Sequence, residues 1–183
     1  NVAEKWGISR EDQDALAVES HQRAAAAIEK GYFKDQIFPY EIKSRKGTTV
    51  FDTDEHVRGD ASLEGMAKLR PVFKKDGSVT AGNASGINDA AAAVVLMEAG
   101  VAEQKGLKPA MRLVGYALAG VDPAIMGIGP VPAIKNVMTR TGLSIADMDV
   151  IELNEAFAAQ ALGVCRDLDL PGDKVNPNGS GIS

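Results

Sequence analysis

Apolar and polar positions alternate with helical spacing from Ser9 to Gly31. Ser9-Arg-Glu-Asp12 has the form of a helix start, a hydroxyl followed three residues later by an acid. Leu16, Ala24, Ala27 and Ile28 can then share one buried stripe, and Gly31 is a natural stop, so the spacing predicts a helix over 10–30. The charged tract from Tyr32 to Arg58 contains the β-type run Thr48-Thr49-Val50-Phe51 and predicts short strands and loops. Ser62 opens a second short helix that must end near Arg70-Pro71. Small and turn-forming residues fill Val79–Asp89, and an apolar run predicts a helix from about Asp89 to Lys105, closed by Gly106. Arg112–Ala119 reads as a strand, Gly127–Pro130 as a loop, and Pro130 suits the first turn of a helix running to Arg140. Ser144-Ile-Ala-Asp147 repeats the capping signal, Val150–Leu153 reads as a short buried strand, and Glu155–Leu168 has helical composition. Helices alternating with strands make this an α/β chain.

Composition narrows the function classes. Of 183 residues, 45% are hydrophobic and 25% charged, the mix of a globular protein, and no internal repeat or low-complexity tract appears. A net charge of −5 argues against a nucleic-acid partner, which calls for a basic surplus. The longest apolar stretch, Ala90 to Met97, falls short of the ~18 residues a membrane helix needs. Cys165 is the only cysteine, so no internal disulfide forms, in keeping with a reducing compartment such as the cytoplasm. The opening residues Asn1–Gly7 lack the basic-then-apolar order of a signal peptide, and both ends read as the interior of a longer polypeptide.

Two segments could carry chemistry. Asn154 stands where a predicted strand hands over to a helix, a junction at which α/β folds gather functional groups. Its amide could donate to a developing oxyanion or hold a water that does so. Its local preference is for the plainer role of an N-cap, for which asparagine is favoured. The Ala81–Asp89 loop, with Ser85 in it, would let a ligand approach the backbone closely, or would simply be a tight turn between core elements. It fits neither the phosphate-loop nor the dinucleotide glycine pattern. His21 and His56 lack partners at metal-ligand spacing, and neither is a candidate for catalysis; no metal site is expected. Cys165 lies in the middle of a predicted helix, the setting of a structural thiol.

Taken together, these segments resemble the thiolases over essentially the whole chain. Asn154-Glu155-Ala156-Phe157 is similar to that family's Asn-Glu-Ala-Phe motif, and Thr80–Asp89 to its coenzyme-A loop. Leu69-Arg70-Pro71-Val72-Phe73 with Asp76-Gly77 resembles the approach to that loop, and Asn176–Ser183 the segment leading into Gly-His-Pro. The resemblance implies a layered α/β fold of two related core halves plus an inserted loop domain, incomplete here. Residues 1–80 would be the later part of the insertion, 81–120 the end of the first half, and 121–183 the start of the second. Each half would then leave open edges and unburied faces.

The implied activity is coenzyme-A-dependent acyl transfer by reversible Claisen condensation, as in an acetyl-CoA acetyltransferase or a 3-ketoacyl-CoA thiolase. Asn154 would hold a water that stabilises the enolate oxygen. Ser85, Ala81 and Ala84 would line the pantetheine path, Ala156 and Phe157 would close over the reacting end, and Arg58 and Phe73 would meet the nucleotide part. Coenzyme A would be substrate and product, with no covalently bound cofactor, and the partner an acyl-CoA in a homodimer or homotetramer. The chain departs from the pattern in lacking the nucleophilic cysteine, the Gly-His-Pro histidine and the second catalytic cysteine. A non-catalytic acyl-CoA-binding or lipid-transfer-associated thiolase-like protein is the alternative. The intact Asn-Glu-Ala-Phe favours a true thiolase over a ketosynthase, which places a histidine at the corresponding point.

Overall fold

The computed structural model describes residues 1–183, and its backbone is organised around one long helix. After a short α1 (Val2–Trp6), α2 (Arg10–Glu29) begins with the expected capping box: the Asp12 N–H donates to Ser9 Oγ and the Ser9 N–H to the Asp12 carboxylate. Ala24 and Ala27 are buried on α2, while Leu16 and Ile28 are half-buried. What the apolar periodicity did not show is that Gln13, Asp14, Ser20 and His21 share the buried face. Each of them finds a partner in a distant segment, which makes α2 the spine to which the rest is fastened.

Strands β1 (Tyr40–Ser44) and β2 (Gly47–Phe51) pair antiparallel, with Tyr40 opposite Phe51 and Ser44 opposite Gly47, and form an exposed hairpin. Helix α3 (Leu63–Ala67) is capped by Ser62, whose Oγ accepts from the Gly65 N–H, and rests on α2 through buried Met66. The Arg10 guanidinium donates to the carbonyls of Met66 (2.7 Å) and Leu69 (3.1 Å), tying off the turns after α3.

Two expectations fail in the next stretch. The apolar helix over Asp89–Lys105 is confined to α4 (Ala99–Gln104), and residues 87–98 form no regular element and are exposed, Val95 at 91%. A helix apolar on every side draws its stability from burial rather than propensity, and no other element of the chain packs on this run. Arg112–Ala119 likewise forms no strand, because a strand needs a neighbour's N–H and C=O groups and none lies alongside it.

A 3₁₀ turn at Pro123–Ile128 replaces much of the expected loop and leads through Gly129 into α5 (Pro130–Thr141). That helix starts on Pro130 and ends at Gly142 in the left-handed region, φ 73°. Ser144 and Asp147 form their capping box around a further 3₁₀ turn. Val150–Leu153 makes only a single parallel bridge, Ile151 to Val175, and of its residues only Leu153 is buried. The last helix is α6 (Ala158–Leu168), not Glu155–Leu168.

Helix α6 stands between two apolar clusters. Ala161 and Val164 pack with Ile128, Val131, Leu153 and Val175 on one side, and Ala158 joins Ala17, Val18, Met66 and Ile182 on the other. The functional segments all run over this α2–α6 layer.

Candidate functional site

The loop after Val79 is held from beneath by a buried carboxylate. Asn83, fully buried, donates from Nδ2 to Asp14 Oδ1 (2.9 Å) and to the Ser78 carbonyl (3.0 Å), and its Oδ1 accepts from the Thr80 N–H (2.9 Å). Asp14 is in turn paired with Arg10 Nε at 2.7 Å. A buried charge satisfied on both oxygens fixes its partners firmly, since any shift leaves it unpaired. The loop is thus pinned at Asn83 while its neighbours remain free to face a ligand.

From that anchor the backbone joins the Asn154–Phe157 segment. The Ser85 N–H donates to the Ala156 carbonyl (3.0 Å), the Ala158 N–H donates to the Asn83 carbonyl (2.9 Å), and Ala84 bridges Phe157 in antiparallel fashion. This pairing holds Phe157 extended (φ −146°, ψ 143°) and sets where α6 can begin, with Phe157 at the N-cap position. Asn154, three residues earlier, is therefore not a helix cap. It is exposed, and its side chain makes no hydrogen bond within the chain. Of its two open roles, the cap is removed.

Phe157 stands edge-on to Phe73, ring centroids 6.2 Å apart at 70°. Both rings line a cleft of about 730 Å³, a volume within the range of small-molecule sites, with Ala156, Gln160, Met126 and Val79 also on its walls. Lys74 and Glu4, which also line the cleft, form an ion pair at 3.2 Å.

The expected site residues thus fall into three groups. Phe73, Ala156 and Phe157 line the cleft, and Ala84 and Ser85 are stitched to its back wall through the backbone pairing. Ala81 is exposed at the start of the same loop and outside the cleft lining. Asn154 faces another way, toward the 176–183 segment: a Cβ on Gly181 would come within 2.7 Å of Asn154 Oδ1.

Arg58 forms the third group. Its backbone N–H donates to Nδ1 of buried His21 (3.1 Å), and its exposed guanidinium engages no other group of the chain. His21 stacks on His56 with centroids 6.1 Å apart. Burial pushes the His21 pKa down, and the neighbouring His56 and Arg58 charges add to the shift. His56 and Val57 line a smaller hollow of about 300 Å³ together with Asn88, Gly179 and Ser180.

Several groups at the site were not singled out in the sequence, namely Asp14, Ser20, Asn83, Glu155 and Asn176. Asn83, Glu155 and Asn176 carried a local signal, their places inside the quoted motifs; Asp14 and Ser20 carried none. The half-buried Cys165 thiol is pushed up by burial and then by the Glu155 charge, which leaves it a poor nucleophile. No cluster of three or more potential metal ligands occurs, and no helix is long and apolar enough to cross a membrane.

Comparison with known proteins extends over the whole chain. The family model for the thiolase N-terminal domain matches residues 1–100, and that for the thiolase C-terminal domain matches 107–183. A beta-ketothiolase of Cupriavidus necator is 65% identical, and an acetyl-CoA acetyltransferase of Chromobacterium violaceum is 56% identical; each alignment covers 100% of this chain and 47% of the relative. The crystal structure of the Bacillus anthracis acetyl-CoA acetyltransferase superposes with a TM-score of 0.95 at 55% identity, covering 100% of this chain and 46% of that one. Human mitochondrial 3-ketoacyl-CoA thiolase in complex with CoA superposes with a TM-score of 0.89 at 46% identity, covering 100% and 45%. The chain spans about half the length of the relatives it matches.

Proposed function

This chain belongs to the thiolase family and carries part of its layered α/β fold, and from that premise we propose that it supplies the ligand-facing centre of a coenzyme-A-dependent acyltransferase. The reaction is a reversible Claisen condensation, the chemistry of an acetyl-CoA acetyltransferase or 3-ketoacyl-CoA thiolase. The carrying observation is the pairing of Ala84 and Ser85 with Ala156 and Phe157, which brings the two motif segments into one wall beside the Phe73–Phe157 cleft.

In this reading the pantetheine arm runs over Ala81, Ala84 and Ser85, where small side chains keep the backbone within reach. Ala156 and Phe157 close over its thioester end, and Phe73 meets the nucleotide part. Arg58 offers an uncommitted cation to a nucleotide phosphate, a local positive point on a chain of net charge −5. Asn154, with no partner of its own in the chain, is free to hold a water against the enolate oxygen. Residues 1–183 contain no Gly-His-Pro and only Cys165, so the acyl-carrying cysteine and its activating histidine are to be sought outside them. The division into an insertion (1–80), the end of one core half (81–120) and the start of the other (121–183) is part of the same proposal. So are a cytoplasmic location and assembly as a homodimer or homotetramer.

Asn154 provides the test. In a full-length thiolase that carries residues 1–183, Asn154→Ala should lower kcat about 100-fold, or ~3 kcal/mol, the usual cost of losing one oxyanion donor. KM should stay nearly constant, because the interaction is made in the transition state. Asn154→Asp should be equally slow with an unchanged melting temperature, since the residue caps no helix. Near-normal acetoacetyl-CoA thiolysis by either variant would refute the assignment. Residues 1–183 alone should show no thiolysis; turnover by the purified chain, free of host thiolase, would refute the placement of the nucleophile elsewhere.

A further inference from the structure

Glu155 is 2% exposed and belongs to none of the chain's five ion pairs. A carboxylate is costly to bury unless donors replace its water. Two do so, each from a different part of the chain. Ser20 on α2 donates from Oγ to Glu155 Oε2 at 2.6 Å, and Asn176 donates from Nδ2 to Oε1 at 3.2 Å.

Both partners act as clamps in their own right. Asn176, held at φ 48°, also donates to the Leu153 carbonyl (2.7 Å) and accepts from the Leu153 N–H (2.7 Å), completing both backbone groups of the residue before Asn154. Ser20 Oγ accepts from the Ser180 N–H at 3.3 Å, and Gly179 lies so close that a Cβ would sit 2.7 Å from the Ser20 carbonyl oxygen. Beyond it, Gly181 abuts the Asn154 amide. Arg23 adds a third fastening, donating to the Val175 carbonyl at 2.6 Å. Residues 172–183 are therefore seated on α2 and on 151–155 at once, and the buried carboxylate at the junction is the neighbour of Asn154.

The geometry points to Glu155 as a positioning residue for Asn154, an inference that rests on the thiolase reading above. Its two oxygens tie α2 through Ser20 and the 176–183 segment through Asn176 to the stretch bearing Asn154. They thereby set where that amide stands relative to the substrate. Glu155 touches no substrate; it acts through Asn154 and through the segment beside it.

The test compares Glu155→Gln, Ser20→Ala and the double variant in a full-length thiolase that carries residues 1–183. An amide at 155 must turn its oxygen to Asn176, whose Nδ2 accepts nothing, and so presents an N–H to Ser20. The Ser20 hydroxyl then turns to Ser183 Oγ, 3.1 Å away, and the charge-assisted tie to α2 becomes a weaker neutral one in the reverse direction, from the amide N–H to Ser20 Oγ. Ser20→Ala removes the same tie from the other side without disturbing a helix interior. Ser20→Ala should lower kcat on the order of tenfold, less than the ~100-fold that a 1 Å misplacement can cost, and Glu155→Gln should lower it by less. KM should stay within about twofold, and the double variant should be no worse than Ser20→Ala, because the effect of Glu155→Gln runs through the tie that Ser20→Ala removes. Additive losses, or kcat within twofold of the parent in Ser20→Ala, would overturn the inference, and Ser20→Ala decides the matter if Glu155→Gln fails to fold. An inactive parent would count against the thiolase reading instead. The crystal structure of Ser20→Ala then decides, supporting the inference if Asn154 and residues 179–181 move and overturning it if they stay in place.

Discussion

Gly181 offers a way to move Asn154 without altering it. A Cβ placed on Gly181 would lie 2.7 Å from Asn154 Oδ1, 3.2 Å from the Glu155 carbonyl oxygen and 3.5 Å from its carbon. Ordinary contact begins near 3.4 Å, so Gly181→Ala must drive the Asn154 amide back by about 0.7 Å and the Glu155 carbonyl by a few tenths of an ångström. Gly181 does not occupy the left-handed region, so alanine meets no backbone strain there. The amide is the end of an exposed side chain with no hydrogen bond to break, so the cost in stability should sit at the low end of overpacking, about 1 kcal/mol.

The functional cost should be larger than the structural one. A group that must meet a developing charge loses most of its effect when displaced by a fraction of an ångström, and a 1 Å error can cost ~100-fold. Gly181→Ala should therefore lower kcat for acetoacetyl-CoA thiolysis on the order of tenfold in a full-length thiolase that carries residues 1–183. KM should hold, and melting should fall by only a few degrees. Combined with Asn154→Ala it should cost nothing further, because the group it displaces is already gone. A folded Gly181→Ala enzyme with kcat within twofold of the parent would refute the reasoning. So would an undiminished loss on the Asn154→Ala background.

Arg58→Ala should raise KM for the acyl-CoA by an amount equivalent to about 1 kcal/mol, the scale of an exposed ion pair. The effect should shrink as salt rises; an unchanged KM at low salt would remove Arg58 from the site. His21, desolvated and facing His56, Arg58 and Asp60, should titrate below the ordinary histidine value of about 6.5 in NMR spectra. The unfolded chain then takes up the proton first, so the stability contributed by neutral His21 is fully present above pH 6.5 and is lost as pH falls through the folded pKa. A His21 midpoint at or above 6.5 would contradict this.

How much of this was legible in the residues depends on how far each signal reaches along the chain. The starts of α2, α3 and the 3₁₀ turn after Ser144 were readable because a cap bonds to a residue three positions on, and both partners stand in one short window. Residues 89–98 and 112–119 were misread for the opposite reason: apolar composition says that a segment needs burial, not what will bury it. The candidate site divides in the same way. The loop and the Asn-Glu-Ala-Phe segment were found as strings, but their relation is a backbone pairing between Ser85 and Ala156 that no local pattern shows.

That pairing also explains the late start of α6. Local preference made asparagine a fair N-cap, and on propensity alone α6 could have begun at Glu155. The bridge from Ala84 holds Phe157 extended, so the helix starts only at Ala158, on a residue with no capping side chain. A favourable local cap was forgone, and Asn154 was left exposed with its amide unpaired beside Gly181. Ala84 thereby has two effects with one contact: it forms part of the wall behind the cleft, and it delays the helix that would otherwise have claimed Asn154. Where tertiary pairing overrides a local preference and strands a polar side chain, the conflict marks a group free for another use. Asn154 is that group in this chain.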